Sequence, residues 1–100
     1  MPEDKKVQQL DKDFFKRTDA FINVANDLSK EQDLGKVSAS LLYAAARFNA
    51  YIVASSAKDK AEADRNKVEA IDYFTEQYRS MLIANMDDYI NKYDEYLKKD

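Results

Sequence analysis

The chain has 100 residues, 45% hydrophobic and 35% charged, with a formal net charge of −3. That is one soluble-type domain, and one Gly and one Pro leave little turn chemistry for a sheet. The absence of Cys and His excludes disulfides, thiolate metal sites, and the commonest general base and metal ligand.

The composition, rich in Ala, Lys, Glu, Asp and Leu with few breakers, points to an all-α fold. Residues 1–10 are polar, lack the apolar run of a signal peptide, and read as a frayed tail. Lys5 and Lys6 belong to that solvated tail rather than to a binding patch.

The first helix is expected over about 11–34. Phe14, Phe21, Ala25 and Leu28 recur at the 3–4 spacing of one face, widened by Phe15 and Ile22. Asp19, Asn23 and Asp27 fall opposite. Asp11 is the expected N-cap, and Gly35 the residue free to take a left-handed conformation and end the helix.

The second helix is expected over about 38–56, with Ser38 as N-cap. Stepping 100° per residue sorts it into two apolar faces. One carries Leu41, Ala45, Phe48 and Ile52. The other carries Ala39, Tyr43, Ala46, Ala50, Ala54 and Ala57. Polar seams lie between them, with Arg47 in one and Asn49 in the other. Two apolar faces mark a central helix. Its apolar window, 41–54, is too short to span a bilayer and contains Arg47 and Asn49.

No Gly or Pro marks the next boundary. Asp59 followed by Glu62 reads as an N-cap with an acidic partner three residues on, so a turn is expected near 56–59. The rival, one continuous helix from about 38 to the C-terminus, requires a swapped dimer to cover its faces. The third helix is expected over about 60–98, and at 1.5 Å per residue it reaches about 55–60 Å. Its stripe holds Val68, Ile71, Phe74, Tyr78, Leu82, Met86, Tyr89, Tyr93 and Tyr96, flanked by Met81, Ile90 and Leu97. Asp88–Lys92, Asp94–Lys98 and Glu95–Lys99 are i,i+4 pairs supporting it. No residue forces a break within it. The sum is an antiparallel three-helix bundle with helix 2 central and a long C-terminal helix 3.

Several blocks resemble a known group of short bacterial proteins. They are Asp19-Ala20-Phe21-Ile22-Asn23, Gly35-Lys36-Val37-Ser38-Ala39-Ser40 and Ala46-Arg47-Phe48-Asn49-Ala50. Ile71-Asp72-Tyr73-Phe74 with Gln77-Tyr78, and Asp87-Asp88-Tyr89 with Tyr93, match it too. The group is domain of unknown function 3144. The resemblance covers most of the chain, implies a small bacterial helical protein, and brings no catalytic or ligand residues with it.

The chemistry available is narrow. Seven acids between Glu69 and Glu95 face only Arg79 and Lys92, which excludes a phosphate-binding footprint on the last helix. Without His, inward carboxylates do not assemble a helical di-metal site, and the serines lack a base. No cofactor, metal or catalytic residue is expected, and the chain reads as a cytoplasmic non-enzyme. Arg47, with Asn49 near it, either bridges to a carboxylate such as Asp19, Glu69 or Asp72 or holds a ligand's anionic group.

The remaining anomaly is the aromatic end of helix 3. Tyr89, Ile90, Tyr93, Tyr96 and Leu97 extend past what a body of this size covers, and Tyr is enriched at interfaces. With Arg79 at the margin they form the candidate interface of a homodimer or partner-helix groove. No nucleic acid or membrane partner is expected. The alternative is a small anionic ligand held by Arg47 in a pocket of Phe48, Tyr51, Phe74 and Tyr78.

Overall fold

The computed structural model of the chain describes residues 11–97. Over these residues the ordered elements are all helices: α1 (Phe14–Ser29), α2 (Leu34–Ser56), α3 (Lys60–Asn91) and the short α4 (Tyr93–Leu97). The chain divides into two units, Met1–Asn49 and Ala50–Asp100, and α2 runs through the division. The expected 1–10 tail and the Asp94–Lys98 and Glu95–Lys99 pairs involve positions outside the described residues.

In the first unit, α1 starts at Phe14 rather than near residue 11. Asp13 is its N-cap but makes no side-chain cap bond. Asp11 forms an ion pair with the Arg17 guanidinium instead of capping. The helix ends at Ser29 without a glycine. The Lys30 N–H turns inward to the Asp27 and Leu28 carbonyls, and Gln32 N–H bonds Leu28 O at 3.0 Å.

The largest departure from the sequence reading is at Gly35. No glycine has positive φ among the described residues, and Gly35 lies in the first turn of α2. Helix α2 begins at Leu34, four residues before the expected Ser38 cap, because Asp33 caps it. The Asp33 carboxylate accepts from Lys36 N–H at 3.1 Å, and the Asp33 carbonyl accepts from Val37 N–H at 3.0 Å. A Cβ at residue 35 would stand 3.0 Å from Asp33 Oδ2. Gly35 therefore makes room for the capping carboxylate rather than supplying a left-handed turn.

In the second unit the boundary after α2 is a short turn over 57–59, so α2 and α3 are separate helices. Asp59 takes an extended conformation (φ −157°, ψ 175°) and its carboxylate accepts from Glu62 N–H at 2.9 Å. Glu62 in turn accepts from Lys58 N–H, one residue before the cap, at 2.7 Å. Asp59 thus satisfies a backbone donor that the first turn of a helix otherwise leaves open, and Glu62 ties down the turn that leads into it.

The third helix does not run unbroken to the C-terminus. It passes 85–88 without interruption, where Asn85 Nδ2 donates to the Met81 carbonyl at 2.7 Å. It stops at Asn91 because Lys92 leaves helical geometry (φ −117°, ψ 34°). Lys92 keeps its N–H on Asp88 O, while its own carbonyl accepts from Glu95 and Tyr96 N–H, starting α4. Asp88 and Lys92 also pair through their side chains at 3.6 Å.

Burial is sparse. Among the described residues, Val37, 7% exposed, is the only buried hydrophobic. Leu41, Phe48 and Ile52 on one face of α2 and Tyr43 on the other are exposed. Phe15, Phe21 and Val24 of α1 are exposed as well.

Candidate interaction surface

The second unit carries the residues of the candidate interface on one helix and its short extension. On α3, Val68, Ile71, Tyr78, Leu82, Met86 and Tyr89 fall within about 60° of one line at 100° per residue. All six are exposed. Phe74, on the same side, is half-buried and meets Tyr73 edge-on, ring centroids 5.3 Å apart. An unbroken helix of 32 residues is about 48 Å long, so the stripe is a nearly straight apolar seam rather than a patch.

The break at Lys92 rearranges the aromatic end. In a continuous helix, Tyr89 and Tyr96 would sit about 10 Å apart along the axis. Instead α4 brings their rings to 5.1 Å at an interplanar angle of 62°. Tyr93 and Tyr96 are each about half exposed, and Ile90 is 61% exposed. The Asp88 carboxylate, through a hydrogen bond and its charge, raises the Tyr96 phenol above its ordinary 10.0, while Lys92 pulls the other way. The structure thus brings Tyr89, Tyr96, Asp88 and Lys92 together. Leu97 lies on α4 with them and is exposed. Arg79 is exposed and makes no ion pair among the described residues.

Arg47 is exposed and, among the described residues of its own unit, makes no ion pair with Asp19. Asn49 is half-buried.

The second unit does contain a groove, of about 610 Å³, at the corner between the end of α2 and the first half of α3. Ile52, Val53, Ser56, Asn66, Glu69, Ala70, Tyr73 and Phe74 line it. Of the pocket expected from sequence only Phe74 takes part. The groove holds the Glu69 carboxylate and no cation, which is the wrong charge for an anionic ligand. The missed signal is the small pair Ala63 and Ala70, seven residues apart, both half-buried on the side of α3 near this corner. Among the described residues, no group of three or more His, Cys, Asp or Glu side chains is placed to hold a metal ion.

Residues 14–90 match the model of the family described as protein of unknown function (DUF3144). The chain belongs to this family. An NMR structure of the protein NB7890A from Shewanella sp is similar to it, with 39% identity and a TM-score of 0.71. The likeness covers 83% of this chain and 88% of that one. No curated protein matches. The DUF3144 match ends at residue 90, so it includes the whole α3 seam and leaves α4 outside. The Asp72, Tyr78 and Tyr89 positions of the sequence blocks thus fall within the family's extent, whereas Tyr93 and Tyr96 do not.

Proposed function

We propose that this DUF3144 protein is a non-catalytic interaction module that acts by self-association through α3. The observation that carries this reading is the exposed seam from Val68 to Tyr89, about 32 Å of the helix. The exposed apolar residues of that seam, continued by Ile90, Tyr93, Tyr96 and Leu97, need a second molecule to leave water. Burying each large apolar side chain favours association by about 1.5–3 kcal/mol before the entropic costs.

Helix α2 is long and apolar enough to cross a membrane by length and composition alone. Arg47, near its middle, costs about 2.5–3.5 kcal/mol there, which favours a helix in water over a spanning one, in keeping with the proposed cytoplasmic homodimer. Sedimentation equilibrium from micromolar to millimolar concentration is the test. A concentration-dependent dimer supports the module; a monomer throughout the range refutes it.

A further inference from the structure

We propose that two copies pair along α3 in an antiparallel, two-fold symmetric seam whose axis passes between Glu76 and Gln77. The proposal rests on the self-association reading and adds to it the face, the direction and the register.

The axis lies within about one residue of the middle of Lys60–Asn91, so nearly the full length of the two helices overlaps. In that register the stripe meets itself in layers. Ile71 is level with Leu82 of the second copy, Val68 with Met86, and Thr75 with Tyr78. Symmetry repeats each layer on the other side of the axis. All of these except Thr75 are large exposed apolar residues in the single chain. Farther out, Asp64 is level with Tyr89 of the second copy, where the phenol can donate to the carboxylate.

Charge selects the register. A two-fold axis perpendicular to the pair sets each flank of the seam against the same flank of its mate. One flank carries Asp72, Glu76 and Arg79; the other carries Lys67 and Asp88. In the proposed register Arg79 falls between Asp72 and Glu76 of the second copy, and Lys67 falls beside Asp88. Glu76 also lies beside Glu76 of the second copy at the axis, with an Arg79 on either side of that pair, so each flank is complementary on balance. Sliding one helix by seven residues toward the tyrosine end keeps good apolar layers, such as Ile71 on Tyr89. That shift, however, puts Arg79 beside Arg79, Lys67 beside Lys92 and Asp72 beside Asp87, and it shortens the overlap. Sliding the other way brings Arg65 beside Arg79. Opposite charges flanking an apolar seam, with like charges in the competing registers, are how helix pairs fix partner orientation. Among the described residues Lys67, Asp72, Glu76 and Arg79 make no ion pair within the chain, and Asp88 pairs with Lys92.

The test uses the absence of native cysteine. Ile71→Cys and Leu82→Cys are made as separate chains, shown by sedimentation to dimerise when reduced, then mixed and oxidised. The expected result is a disulfide-linked dimer from the mixture and little from either chain alone, because only the mixed layer brings the two Cα atoms within bridging distance. Efficient linking of Leu82→Cys to itself shows a parallel seam and overturns the proposal. Surface charge reversal supplies an independent readout. Lys67→Glu and Asp88→Lys each raise the dimer Kd, by about tenfold over the two symmetric contacts, and the double variant returns it to within about threefold of the parent. Additive weakening in the double variant overturns the register. A monomeric parent chain refutes self-association itself, whereas a dimer without these links or this rescue refutes only the antiparallel α3 seam.

Discussion

At the scale of single residues, two carboxylate caps hold the chain's reversals. Asp33 accepts from Lys36 N–H across Gly35, and at the start of α3 Asp59 accepts from Glu62 N–H while the Glu62 carboxylate accepts from Lys58 N–H. Asp59→Ala is expected to cost about 1 kcal/mol, and Glu62→Ala less, measured as the shift in urea midpoint. Gly35→Ala adds up to about 1 kcal/mol of helix propensity. The new methyl, however, presses on the Asp33 carboxylate, so the net change is expected to stay below about 0.5 kcal/mol. In an Asp33→Ala background the same substitution is expected to be clearly stabilising, since nothing then opposes it. The Asp59–Glu62 spacing could be read from the sequence because the cap is local. The Asp33 cap was missed because a Gly between two helical patterns looks like a left-handed stop, and only the position of Asp33 Oδ2 shows otherwise.

Tyr96 gives a prediction of a different kind. Its phenol is held above 10.0 chiefly by Asp88, so the bond between them favours the protonated form. A group whose folded pKa is raised adds stability that is full below its unfolded pKa and disappears as pH rises through the folded value. Any contribution of this pair is therefore intact at neutral pH and lost only above about pH 10. Asp88→Asn is expected to return the Tyr96 titration, followed by NMR, toward 10.0. No change on substitution would show that the phenol is held by something other than that carboxylate.

At the scale of elements, the helices follow the apolar periodicity, and their ends follow chemistry that the periodicity does not carry. The 3–4 spacing of Phe14, Phe21, Ala25 and Leu28 locates α1, but the Asp11–Arg17 ion pair removes the expected cap and the helix starts later. The stripe from Val68 to Tyr89 locates α3. Its continuation through Tyr93 and Tyr96 conceals the break, because neither Gly nor Pro signals the departure at Lys92. The candidate interface was legible as a set of residues, since a ladder of tyrosines at helical spacing is plain in one dimension. Its shape was not, because folding Tyr96 back on Tyr89 depends on one backbone conformation. Replacing Lys92 with Ala, a stronger helix former, is expected to raise helix content by circular dichroism and to separate the two rings, lost as a cross-peak between them.

At the scale of the whole molecule, what matters is the imbalance between ordered chain and buried side chain. Each ordered residue costs about 1–2 kcal/mol of backbone entropy, and one buried Val returns only a small part of it. On the proposed reading, helical hydrogen bonding and association supply the rest. Thermal stability is therefore expected to rise with protein concentration, by several degrees per tenfold, as it does for proteins whose folding and pairing are coupled. A melting temperature independent of concentration would contradict this. Added salt is expected to weaken the dimer modestly, because the flanking charges are exposed and screened within about 10 Å at 0.1 M.

Val37, the only buried hydrophobic among the described residues, has a consequence for how long the protein lasts. If the chain pairs as proposed, its sparsely buried helices offer proteases cleavable bonds whenever a helix frays, and pairing is what withholds them. Its half-life then depends on its own abundance: dilute chains are cleared and concentrated ones persist. Limited proteolysis at a fixed enzyme-to-substrate ratio is expected to slow as the chain is concentrated through its dimer Kd. Synthesis below that threshold would leave no standing pool, so the protein would accumulate only when made in quantity.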